Sequence, residues 1–215
     1  MTQGTETPPK SRADQDREQL ERYEAFLTAI QQLYETDRGK IAALKRSAGD
    51  TLAEARGLAW FEYYLLRYMP PQNRRSDSIC LLVASLMTFD RKTMREGVKR
   101  GNRDFGAALS SLRSPEEQKA ARPGQTPLER RLVILLDAGF DEEGGGEMAF
   151  RLRQAVKFAL SKNGDISIDW PLLLRDMLRW NWPGKQVQKQ WARSFYAVPT
   201  TSPTSDADAA LDPDL

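Results

Sequence analysis

The 215-residue chain contains no histidine and one cysteine, Cys80. Without imidazole the commonest general base and the commonest transition-metal ligand are missing. With a single thiol, His/Cys zinc sites and Ser-His or Cys-His catalysis are excluded as well. One cysteine cannot form an internal disulfide, and the placing of Cys80 inside an apolar run suits a small packed hydrophobe. That run, residues 78–89, is the longest uncharged apolar stretch, and it is far short of the ~20 residues a membrane span requires. The N-terminus lacks a basic-then-apolar signal, so a cytoplasmic protein without membrane contact is expected. There is no G-x-x-x-x-G-K-[ST] run, and Gly101-Asn102-Arg103-Asp104-Phe105-Gly106 does not match the dinucleotide fingerprint. Any remaining chemistry would rest on carboxylates. Asp141-Glu142-Glu143-Gly144-Gly145-Gly146-Glu147 could hold a hard cation, but its spacing matches no calcium or magnesium pattern and reads better as a solvated glycine-rich loop. No catalytic residue, metal or cofactor is expected.

Charge is plentiful and unevenly placed. The chain carries 32 basic and 30 acidic side chains, a formal +2. Residues 1–19 and 197–215 together hold three of the basic and eight of the acidic groups, which leaves 29 against 22, or +7, in residues 20–196. Both ends are expected to be disordered. Thr5-Glu6-Thr7-Pro8-Pro9 falls in a tail of residues 1–15, and Val198-Pro199-Thr200-Thr201-Ser202-Pro203 leads into Asp206, Asp208, Asp212 and Asp214 within a tail of residues 197–215. The acidic tail either solubilises the chain or competes with nucleic acid for a basic face.

Between the tails the periodicity is helical. Leu20, Tyr23, Leu27, Ile30 and Tyr34 recur at three- and four-residue steps, and a short helix is expected around residues 41–46. Asp50 and Glu54 open a helix through Trp60, Phe61, Tyr64 and Leu65 that ends before Pro70-Pro71. Ser76 or Asp77 is expected to cap a buried helix over 79–89. Thr126-Pro127-Leu128-Glu129 is a capping box with a first-turn proline, and Gly164 is expected to stop a helix over 148–161. Asp169 caps the segment from Trp170 to Trp180, and Gly184 starts the last helix, which ends at Phe195-Tyr196. Wound at 100° per residue, Trp170, Leu173, Leu174, Met177, Leu178 and Trp180 share an arc of about 160°, with Arg175 and Arg179 on the other side. The expected fold is all-α, with roughly eight or nine helices in two packed, bundle-like lobes, residues 16–90 and 105–196, joined by a basic loop over 91–104.

Within residues 90–104, Arg91, Lys92, Arg95, Lys99, Arg100 and Arg103 face only Asp90, Glu96 and Asp104. A net-positive loop with glycines at 97 and 101 can follow a phosphate backbone, or simply be solvated. Arg130 and Arg131 fall in the first turn of their helix, where the macrodipole disfavours cations and where free N–H groups suit phosphate. On the 148–161 helix Ala155, Met148, Leu152, Val156 and Leu160 form the apolar arc. Arg153 and Lys157 stack along one edge, and Arg151 lies near the other. Phe150 and Phe158 project from the polar side and call for a covering lobe or subunit. Trp60, Trp170, Trp180 and Trp191 fall on apolar faces and read as core, with Trp182 left open. No helix-turn-helix, zinc-finger or RNA-recognition signature indicates sequence-specific readout.

Taken in order, Asp37-Arg38-Gly39-Lys40 with Leu44-Lys45-Arg46, Asn102-Arg103-Asp104-Phe105-Gly106, Glu129-Arg130-Arg131-Leu132, Asp169-Trp170-Pro171-Leu172-Leu173 and Trp191-Ala192-Arg193-Ser194-Phe195-Tyr196 carry a resemblance. Over roughly residues 20–196 the chain resembles the CasB small subunit of Cascade, the type I-E CRISPR surveillance complex. The resemblance implies a non-catalytic subunit present as two copies along the belly of that complex, with the other Cascade subunits, crRNA and target DNA as partners. It further implies stabilisation of the R-loop by holding the target strand and steering the displaced one, while a separate helicase-nuclease cuts. Carried over by position, the nucleic-acid surface falls on Arg46 and Arg131, and beyond them on Arg38, Lys45, Arg130, Arg151, Arg153 and Arg175. Lys99, Arg100 and Arg103 rest on the charge argument. Two other readings stay open: an all-helical adaptor that never touches nucleic acid, and a nuclease built on Asp141, Glu142 or Glu143.

Overall fold

The computed structural model describes residues 11–70, 73–114, 116–117, 126–162 and 166–197. Ten helices form among them: α1 (Arg12–Thr36), α2 (Arg38–Arg46), α3 (Ala59–Tyr68), α4 (Arg74–Met87), α5 (Arg91–Glu96), α6 (Phe105–Ser110), α7 (Pro127–Asp137), α8 (Gly146–Ser161), α9 (Trp170–Leu178) and α10 (Gln186–Tyr196). Residues 1–10, Gly164, and the acidic segment with Asp206, Asp208, Asp212 and Asp214 lie outside the described residues.

The fold is all-α, as its periodicity dictates, and the differences from expectation come from capping chemistry. Ser11 accepts the Asp14 N–H, so residues 12–15, expected in the tail, make the first turn of α1. Helix α3 starts at Ala59 because the Glu54 carboxylate accepts both the N–H and the hydroxyl of Thr51, closing a turn instead of opening a helix. The cap of α4 is Asn73, which accepts the Ser76 N–H at 2.9 Å, rather than Ser76 or Asp77. Ser78 Oγ instead accepts the Leu52 N–H at 3.0 Å. Every residue of α4 from Ser78 to Met87 is buried, as its unbroken apolar run requires. The stretch read as a loop over 91–104 contains α5, and α6 begins just beyond it. Each is six residues long, too short to show a period, and each is held by an aspartate cap, Asp90 or Asp104. The capping box of Thr126 and Glu129 and the Asp169 cap of α9 form as read.

One continuous core joins the two halves of the chain. Helix α9 packs on α1 and on α4, α2 on α4, α4 on α8, α7 on α8, and α6 lies along α10. Trp170, Trp180 and Trp191 are all fully buried. Each indole N–H donates to a buried acceptor: Trp170 to Asp90 Oδ2 at 3.0 Å, Trp180 to the Ala138 carbonyl at 2.8 Å, and Trp191 to Asp176 Oδ2 at 2.7 Å. The motif carboxylates therefore have two tasks, closing a helix end and tying it to a distant element. Asp104 caps α6 and also accepts Ser194 Oγ at 2.6 Å and Gln190 Nε2 at 3.2 Å on α10. Asp169 caps α9 and accepts the N–H groups of Gly101 and Asn102 at 2.8 and 3.2 Å. Gly106 has a packing reason: any Cβ there would collide with the Trp191 backbone.

Candidate nucleic-acid interface

Helices α7 and α8 leave between them a groove of about 380 Å³, lined by Arg131, Arg151, Gln154 and Lys157 with Ile134 and Phe158. The Arg131 guanidinium lies over the half-buried Phe158 ring, 4.2 Å from its centroid. Lys157, which also lines the groove, places its ammonium 4.7 Å from the Phe89 centroid, and Lys45 of α2 approaches the same ring at 5.1 Å. Arg153 extends its guanidinium against Gly49, in the turn after α2. Contacts thus run from Lys45 through Phe89 and Lys157 into the groove with Arg131 and Arg151. Arg46 is exposed next to Lys45 in the last turn of α2, and Arg38 is exposed two turns before Lys45 on the same side of that helix. An aromatic ring steadies a cation by ~0.5–1 kcal/mol at exposed sites without cancelling its charge. Lys45, Arg131 and Lys157 therefore stay available to an anion.

The pair Arg130 and Arg131 is placed differently from expectation. Pro127 opens α7 without an N–H. Thr126 Oγ1 accepts the Glu129 N–H at 3.2 Å, Glu129 Oε2 accepts the Thr126 N–H at 3.1 Å, and the Arg130 N–H bonds the Thr126 carbonyl at 3.1 Å. The helix end is closed by its own box, so the two arginines lie past the first turn and beside no cradle of free amides. Arg130 is exposed on α7.

Other expected cations are engaged by carboxylates. Arg100 pairs with Glu24 of α1 at 2.6 Å and Lys99 with Glu96 at 2.8 Å. Arg175, 17% exposed, pairs with Asp176 at 3.0 Å, and Arg179 bonds Asp16 at 2.7 Å. Burial pushes the Asp176 carboxyl above its ordinary range, while the Trp191 N–H and Arg175 work against that. The Arg179 hydrogen bond holds Asp16 below its ordinary range. Arg151 is intermediate: it lines the groove and also pairs with Glu147 at 3.1 Å. Arg103 is exposed in the turn before Asp104. Lys157 is not among the expected site residues. Its one signal in the sequence is the i,i+4 spacing from Arg153, and nothing local announces its meeting with Phe89.

The acidic loop has a structural use. Asp141 Oδ1 accepts the N–H groups of Glu143 and Gly145 at 3.0 and 2.8 Å, and Gly144, at φ +86°, sits too close to the Arg75 carbonyl for a side chain. Among the described residues no group of three or more His, Cys, Asp or Glu side chains is placed to hold a metal ion. Cys80 is fully buried and burial pushes its thiol up, as a packed hydrophobe requires. No helix among the described residues is long and apolar enough to cross a membrane.

Comparison with known proteins points in one direction. The CRISPR-associated protein Cse2 from Thermus thermophilus is 38% identical over 101 residues, which span 47% of this chain and 51% of that protein. The crystal structure of M. ruber CasB superposes with a TM-score of 0.61 at 31% identity, covering 81% of this chain and 92% of that one. A chain of a CRISPR RNA-guided surveillance complex superposes with a TM-score of 0.63 over 83% of this chain and 93% of its own, at 19% identity, a likeness of fold alone. The family model of CRISPR-associated protein Cse2 matches residues 40–196, from within α2 to the end of α10. This chain belongs to the CRISPR-associated protein Cse2 family.

Proposed function

We propose that the chain is a non-catalytic small subunit of a CRISPR RNA-guided surveillance complex of the Cascade type, acting in the cytoplasm beside the other Cascade subunits, crRNA, target DNA and a second copy of itself. Its task is to stabilise the R-loop through backbone contacts to the target and displaced strands. Family membership supports the assembly, and the basic face supports the contacts. The observation that carries the reading is the run of cations from Lys45 through Lys157 to Arg131, steadied by rings rather than neutralised by acids. Arg46, Arg38, Arg130, Arg151 and Arg153 flank this run, and Arg103, Lys99, Arg100 and Arg175 contribute less because carboxylates hold three of the four.

Strand exchange in an R-loop is nearly balanced in free energy, so a few phosphate contacts tip it. For a single strand each contact lowers the logarithm of affinity by ~0.7 per decade of salt. A salt titration of the full chain with single-stranded DNA, alone and in the assembled complex, tests this. Steeply salt-dependent binding that weakens in an Arg46→Ala/Arg131→Ala variant is expected. Binding that is absent, or indifferent to salt in both settings, would remove the reading.

A second reading, an adaptor without nucleic-acid contact, is favoured by the outward side of α3, where Tyr63 is 58% and Leu66 80% exposed. Under it, Leu66→Asp would abolish assembly while the arginine variants would change nothing.

A further inference from the structure

We infer that the groove between α7 and α8 seats one unstacked nucleotide, with its base lying on the outer plane of the Arg131 guanidinium and its phosphate met by Lys157 and Arg151. This rests on the nucleic-acid reading above and adds to it a contact with the base. Backbone neutralisation needs only charge, and lysine or arginine serves equally. What the groove adds is a flat platform. The Arg131 guanidinium lies 4.2 Å from the Phe158 centroid, the closest cation–ring approach in the described residues, and Lys162 lies 5.5 Å from the same ring. Phe158 is half-buried on α8 and holds the Arg131 guanidinium against its ring before any ligand arrives. A guanidinium held in this way presents a delocalised surface on which any base can stack.

The surroundings fit a nucleotide. Ile134, 43% exposed, gives an apolar wall, Gln154 offers an amide to a base edge, and Lys157 supplies a cation for phosphate beside Arg151, which would exchange its exposed partner Glu147 for the phosphate. At about 380 Å³ the groove is at the small end of ligand sites of ~300–1,000 Å³ and suits a single nucleotide. A duplex has its base faces already stacked inside, so only an unpaired strand has a free face to offer. The site would therefore distinguish single-stranded from double-stranded DNA of equal charge without reading sequence, since every base has a π-face.

The test compares two single strands of the same length and charge, one an ordinary oligothymidylate and the other fully abasic, each titrated against the full chain at low salt. The expected result is about tenfold tighter binding of the base-bearing strand, the size of one base stacked on a planar side chain. Arg131→Lys keeps the charge and removes the plane. It should erase that preference while leaving affinity for the abasic strand and the salt slope unchanged, and Phe158→Leu should do the same by removing the support. Equal affinity of the wild-type chain for both strands, with salt dependence intact, would overturn the seat and leave the backbone reading standing. Failure to bind either strand, both alone and in the assembled complex, would overturn both. The wild-type comparison requires no variant to fold.

Discussion

Two groups of cations in this chain differ in whether a carboxylate meets them. Along α1 and α9, Arg100, Arg175 and Arg179 are met by Glu24, Asp176 and Asp16. Across α2, α7 and α8, Lys45, Lys157 and Arg131 are met by Phe89 and Phe158. A carboxylate partner cancels charge and orders the fold, whereas a ring partner orders the side chain and leaves its charge to be felt outside. The same residue type thus has different duties in the two regions, and a partner decides which.

The largest effect that would break this contrast lies in the carboxylate region. Asp176→Ala leaves the Trp191 indole N–H without its acceptor and Arg175 without its counter-ion, both largely buried. It should cost about 3–5 kcal/mol, measured by urea unfolding. Asp176→Asn, which keeps an acceptor for Trp191, should cost less. Next comes Gly106→Ala, where a methyl meets the Trp191 backbone. Overpacking of ~1–3 kcal/mol should lower the melting temperature by several degrees.

The ring region should behave in the opposite way. Lys45→Ala/Lys157→Ala is expected to leave stability within ~0.5 kcal/mol, because both groups are exposed, while flattening the salt dependence of single-strand binding by about two contacts. A large loss of stability there would erase the distinction between the regions.

The smallest effect sharpens it. Arg179→Ala removes a pair at the surface, worth at most ~1 kcal/mol. Because Arg179 depresses the Asp16 carboxyl, that contribution exists above the ordinary carboxylate range and is lost as pH falls through the lowered value. Wild type and variant should therefore differ at neutral pH and converge in acid, as read by thermal melts across pH.

Legibility in the sequence follows the range of the interaction involved. The capping box at Thr126, the Asp169 cap and the amphipathic stripe of α1 are encoded within a few residues, and each is readable there. Helices α5 and α6 are not, because six residues complete fewer than two turns and their stability comes from Asp90 and Asp104 bonding to distant partners. The starts of α3 and α4 depart from the local pattern for a different reason: several polar residues within a few positions can each close the turn, and here Glu54 bonds back to Thr51 while Asn73, not Ser76 or Asp77, takes the cap. At the candidate interface, Arg131, Lys45 and Arg153 come from the family resemblance, while Lys157 is marked in the sequence only by its i,i+4 spacing from Arg153. Composition counts cations, but only the fold says which of them find an acid.

Phe89 holds Lys45 from the first half of the chain and Lys157 from the second. The spacing between those two ammonium groups is consequently set by how the halves dock, and neither half on its own carries the continuous surface. If the proposed backbone contacts hold, any substitution that shifts α8 relative to α4 by a fraction of a helical turn would put the charges out of step with a phosphate ladder without touching a single basic residue. On the proposed reading the interface doubles as a gauge of how the halves dock, and loss of binding in a variant that still folds would report a misaligned core.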